Sequence, residues 1–149
     1  MTPLALMLVL ASGPGLLAEV QPTDAGAAAL RALDPSAFPT ERSPRVVLWR
    51  VADADQALRT LEVTHPGRFA PVFREGGKTK VPAGGVLVWV KDRSVVDARR
   101  LTVERDFGGG LLLVASMPGV ETLALSDALA ADPRVARAMP NWWLRAVKR

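Results

Sequence analysis

The 149-residue chain contains no cysteine, which excludes disulfides and every form of thiolate chemistry. It has one histidine, His65, too few for a metal cluster and without obvious partners for a triad. His65 precedes Pro66-Gly67, a turn signal, and reads as a solvated loop residue. No Asp/Glu pair gathers on a plausible pocket, so no group that could carry catalysis is visible, and neither enzyme activity nor a cofactor or metal is expected. The net charge is +4, yet no long Lys/Arg block exists. Scattered cations of this kind solvate a surface rather than mark a nucleic-acid patch. A bilayer span is missing too: the apolar run Leu4–Ala11 falls well short of the roughly 20 residues required.

What is present argues for a folded core. Hydrophobic residues make up 49% of the chain, and the length fits one domain, or one small domain plus an extension. The run Leu4–Ala11, closed by Gly13-Pro14 and followed by small residues, matches the apolar region of a signal peptide with a cut after Ala18. Residues 1–18 are accordingly expected to be a leader, and the protein secreted or periplasmic. Residues 19–44, rich in Pro, Ala and polar groups, read as a linker with one helical turn around Ala27–Leu33. Residues 45–82 read as an N-terminal extension with strands. It holds the β-branched run Arg45–Val51, a short helix starting near Asp53 or Asp55, and an edge segment broken by Pro71. "GGKTKVPAGG" reads as a turn region.

From Gly85 onward the periodicity predicts β-α-β-β-α-β over 83–143. "VLVWV" and "LLLVASM" are continuous apolar strands. "SVVDARRL" is a helix with Ser94 as N-cap and Asp97 at the third position. "TVERDF" is a half-exposed strand with Val103, Arg105 and Phe107 on one side. "ETLALSDALAAD" is a helix stopped by Pro133, and "VARAM" a last, mixed strand. The expected fold class is α+β: a ferredoxin-like βαββαβ antiparallel sheet with two helices on one face, plus an N-terminal extended segment. In that topology the first and third strands are central, where the two fully apolar runs stand. Two helices cover one sheet face, whereas Val86–Val90 and Leu111–Val114 carry apolar side chains on both. Either the Arg45–Glu75 extension or a partner must cover the second face.

The order "GGVLVWVKD … SVVDARRL … GGGLLLVASM … LSDALAADPRVARAMPNWW" resembles the N-terminal propeptides of subtilisin-like serine proteases. The matching positions are Asp132, Pro133, Val135, Ala138, Pro140, Asn141 and Trp142, and the likeness spans roughly Arg45 to Trp143. The resemblance implies a ferredoxin-like domain whose open sheet face packs on two surface helices of the protease, with an extended tail in the substrate cleft. The implied protease-binding residues are Met139, Pro140, Asn141, Trp142 and Trp143 at the junction, then Leu144, Arg145, Ala146, Val147, Lys148 and Arg149 as the tail. Met139 stands where the family often has an acid that meets helix N-termini, so Met139→Glu is expected to tighten binding. With no protease motifs before the end at Arg149, the expectation is a stand-alone inhibitor and folding assistant, monomeric when free, or a truncated remnant of a protease. The alternatives are a secreted interaction domain without a protease partner, and an RNA-binding module. The latter stacks bases on aromatics of its central strands, and here only Trp89 is offered.

Overall fold

The computed structural model describes residues 15–145. The chain is α+β, with four helices and two antiparallel sheets among the described residues. Two sheets stand where one sheet and an extended segment were expected.

The first half contains β1 (Gly15–Val20), α1 (Asp24–Leu33), β2 (Phe38–Arg42), β3 (Val46–Val51), α2 (Ala54–Thr64) and β4 (Phe69–Pro71). Its strands lie in the order β2-β3-β1-β4, all antiparallel. Residues 19–44 are therefore not a linker. Thr23 caps α1 by accepting the Gly26 N–H at 2.9 Å, and Asp24 sits in the first turn, where an acid favours the helix dipole. Of the expected leader, residues 1–14 lie outside the described residues, but Gly15–Ala18 belong to β1, a central strand. Leu17 and Ala18 are buried there, so a cut after Ala18 does not suit this structure. Asp53 caps α2 as expected, and His65 closes it ahead of a left-handed Gly67 (φ +75°).

The second half contains β5 (Phe73–Glu75), β6 (Lys78–Val90), α3 (Ser94–Ala98), β7 (Val103–Gly108), β8 (Leu111–Val114), α4 (Val120–Ala130) and β9 (Val135–Leu144). From β6 its strands run β9-β6-β8-β7, with the short β5 added on the early part of β6. Both halves thus alternate elements as β-α-β-β-α-β and share one strand order: fourth, first, third, second. No sequence repeat announces this.

Three local expectations change. Only Gly76-Gly77 is the turn in "GGKTKVPAGG"; Lys78–Ala83 begin the 13-residue β6. Gly84 and Gly85 (φ +109° and +86°) bend that strand, and Ser116 Oγ accepts the Gly85 N–H at 2.9 Å to hold the bend. Helix α3 is a turn shorter than "SVVDARRL" suggests, and its cap oxygen is that of Asp92, which accepts the Ser94 N–H at 2.9 Å. Bulges on either side of Arg105 and Asp106 break the alternation of β7, so Val103 turns to the helices while Arg105 stands opposite Leu113.

Three apolar cores result. One lies between the first sheet and α1 and α2, around Trp49, Leu58, Leu61 and Phe69. Beside it the buried Glu19 accepts the Trp49 indole N–H (3.3 Å) and the Thr23 N–H (3.1 Å), so its carboxylate is satisfied. A second lies between the second sheet and α3 and α4, around Val86, Val88, Leu112, Val114 and Leu129. The third joins the halves: the face of the first sheet turned from its helices (Ala18, Val20, Val46, Leu48, Ala70) is closed by Val81, Ala83 and Trp143. Pro71 marks the step between sheets. It ends β4 at the edge of the first, and after Val72 the chain resumes as β5 in the second.

Candidate interaction face

The side chains of β6 and β8 that point at the helices are even-numbered, namely Val86, Val88, Leu112 and Val114. Leu87, Trp89, Leu111 and Leu113 therefore project from the opposite face. Cross-strand register assembles them. Leu87 stands opposite Leu113 on one side and Met139 on the other; Trp89 stands opposite Leu111 and Arg137. All except Arg137 are half-buried, and among the described residues no element covers them as Val81, Ala83 and Trp143 cover the first sheet. The Arg45–Glu75 segment, one of the two covers considered, packs instead on the early part of β6 and the end of β9, at Val81, Ala83 and Trp143.

Two arginines border this face. The Arg105 guanidinium lies 5.1 Å from the Phe107 ring centre, and that of Arg137 lies 5.1 Å from the Trp89 ring. Where the face meets the end of β9 a groove of about 530 Å3 opens, lined in part by Lys80, Leu87, Met139, Asn141, Trp142 and Leu144.

The expected binding residues divide. Met139 is on the open face, with Arg137 Nη2 3.8 Å from its sulfur. Pro140 is buried opposite Val86, and Asn141 lines the groove. Trp142 meets Phe73 edge-to-face (5.5 Å, 78°), with Lys80 Nζ 4.5 Å from its ring. Trp143 packs into the core between the two halves. The tail expected from Leu144 starts later. Leu144 is the last residue of β9, opposite Lys80; Arg145 donates its N–H to Thr79 O (3.1 Å) and its Nε–H to Glu41 Oε2 (2.9 Å). Ala146, Val147, Lys148 and Arg149 lie outside the described residues. Leu87, Leu111 and Leu113 were not singled out as site residues from sequence, although the two-sided apolarity of their runs is the signal that finds them.

Asp132, of the Asp-Pro-x-Val run, is structural. Its buried carboxylate accepts the Arg134 N–H (2.9 Å), Arg134 Nε–H and Nη2–H (3.0 and 2.9 Å) and Arg99 Nε–H (2.8 Å), tying the end of α4 to the segment after α3. Hydrogen bonds from the Arg134 side chain, then from Arg99, hold it well below the usual carboxylate range. A carboxyl lowered on folding stabilises the protein above its unfolded pKa, and that stability drains away as pH falls through the folded value. Wild type should therefore lose melting temperature below about pH 4, and Asp132→Asn should start lower at pH 7 and lose less on acidification. Melts at pH 7 and pH 3 check this; equal acid sensitivity in the two proteins would remove Asp132 as its source.

Among the described residues no group of three or more His, Cys, Asp or Glu is placed to hold a metal, and no helix is long and apolar enough to cross a membrane. No family model, curated protein or solved structure matches the chain.

Proposed function

We propose that this protein binds a subtilisin-like serine protease through the open face of its second sheet and inhibits it, with the segment after Arg145 entering the substrate cleft. One observation carries the reading. The half-buried apolar face of Leu87, Trp89, Leu111, Leu113 and Met139 is uncovered among the described residues, and it is bounded by β9, the strand that carries the expected junction residues. Exposed apolar surface of this kind marks an interaction site. The strand order β9-β6-β8-β7, with α3 and α4 against one face, supports a ferredoxin-like second half, as the propeptide resemblance implies. Folding assistance follows from the same contact, since a partner that binds only the native protease stabilises it by mass action. The RNA-binding alternative gains little, because Arg137 already stacks on Trp89.

The placement of Leu144 and Arg145 in the folded body fixes where the tail can be cut without damage. A chain ending at Arg145 should melt as the full chain does yet inhibit a subtilisin-like protease roughly tenfold less well, through faster dissociation. Inhibition titrations of the two forms, with matched melts, measure it. Equal inhibition would exclude cleft filling.

A further inference from the structure

We infer that the first half carries a separate binding site, a cavity between α1 and the first sheet that takes a short peptide with both ends free. The peptide's ammonium meets Glu19, and its carboxylate meets Arg31 and Arg42. The site belongs to the helix side of the first sheet and does not rest on the docking reading.

Two buried carboxylates among the described residues, Asp132 and Glu19, are treated differently. Asp132 has two guanidinium partners, Arg99 and Arg134. Glu19 is 2% exposed and has no ion-pair partner among the described residues. Its oxygens accept only neutral donors, the Trp49 indole N–H and the Thr23 N–H. Each oxygen keeps a further acceptor position, and a buried carboxylate is ordinarily paired with a cation. Its place is built into the helix. A Cβ at Gly26 would collide with Glu19 Oε2, so the first turn of α1 carries glycine there despite its cost to a helix. Glu19 also lines a cavity of about 490 Å3, together with Asp24, Ala27, Arg31, Arg42 and Val47. That volume lies in the range of small-ligand sites.

Spacing and register divide the cavity into an acidic and a basic end. Asp24, Ala27 and Arg31 recur at i, i+3 and i+7, one stripe of α1. Seven residues at 1.5 Å each set Arg31 about 10 Å along the helix axis from Asp24. On the sheet, Glu19 stands opposite Val47 and Val47 opposite Arg42, so the three form one row. Two strand intervals of about 4.8 Å place the backbone of Arg42 roughly 10 Å from that of Glu19. Glu19 reaches Thr23 N, so both acids gather at the start of α1. Arg31, resting 5.0 Å from the centre of the Trp49 ring, and Arg42 form the other end. Neither has a carboxylate partner among the described residues. Val47 and Ala27 lie between the two ends. A peptide residue spans about 3.3–3.6 Å, so two or three residues bridge them. A single amino acid, with both charges on one carbon, falls short. The ammonium completes the missing ion pair of Glu19, and the carboxylate takes the planar guanidinium groups.

The Trp49 indole N–H, donated to Glu19, is the reporter. Titration of the nitrogen-15-labelled full chain with dialanine and trialanine should shift its resonance, with a Kd of about 1 mM or tighter. Acetylating the amino end or amidating the carboxyl end of the same peptides should weaken binding at least about tenfold, as should Arg42→Gln. Arg42 is exposed, so that variant should melt as wild type does. Glu19→Gln should remove the shift; if its melt shows a damaged fold, Arg42→Gln and the capped peptides decide. No shift of the Trp49 resonance with either peptide at about 20 mM, or equal binding of the capped forms, would overturn the inference. Alanine binding as tightly as dialanine would overturn the peptide as ligand. A shift produced equally by acetate or phosphate would overturn the requirement for an ammonium group.

Discussion

Leu87→Asp should weaken protease inhibition by at least about 100-fold while leaving the melt within about 1 kcal/mol of wild type. Leu87 is at the middle of the open face, between Leu113 and Met139, and is half-buried in the free protein. In the free chain an aspartate there keeps much of its hydration. Under a docked partner it is stripped of water with no base beside it, and an unpaired buried charge costs about 3–5 kcal/mol. Because 1.4 kcal/mol is a factor of ten, the effect exceeds that of ending the chain at Arg145. Inhibition constants and melts for the pair are the measurement. A variant that inhibits normally would show that the partner sits elsewhere.

Trp143→Ala should cost about 3 kcal/mol of stability, and Trp142→Ala less than half of that. The two residues are neighbours with separate tasks. Trp143 fills the space between the halves, against the cluster of Ala18, Val20, Val46 and Leu48. Its removal opens a cavity that neither sheet can collapse into freely, because both backbones are fixed by their own ladders. Trp142 lies outside that core, against Phe73 and Lys80, where water can replace much of what is lost. Matched thermal melts should place Trp143→Ala roughly 10 °C below wild type. A larger loss for Trp142→Ala would contradict the assignment of the two rings.

Much of the second half was legible because its strands and helix are strongly apolar: "VLVWV", "LLLVASM" and "ETLALSDALAAD" each form the expected element. What escaped has identifiable causes. The apolar residues of β1 follow closely on Leu4–Ala11 and merge with the pattern of a leader. Strand β2 carries Pro39 and exposed alternate residues; it is tolerated because it is an edge strand with a bulge. In β6 the pair Gly84-Gly85 signals a turn but bends a continuing strand. Pro82, which has no N–H to give, contributes its carbonyl to the Gly119 N–H at 2.8 Å. With β1 and β2 unseen, the first sheet could not be assembled from sequence, and neither could the surface that receives Trp143. Alternation along β9 states that Trp142 and Trp143 face opposite ways; which of them is enclosed depends on that missing sheet. The open face was anticipated as a surplus of apolar side chains, whereas its cationic rim depends on the β7 bulges, which no periodicity reveals.

Hydroxyl-radical footprinting of the free chain and of its complex with an active-site-blocked subtilisin-like protease tests the docking of the open face most directly. Oxidation of Trp89, Phe107, Leu113 and Met139 should fall on binding. Met117, exposed on the loop before α4, serves as the internal control and should be oxidised as before. Protection of Met117 with Trp89 and Met139 unchanged would place the partner on another surface and contradict the account.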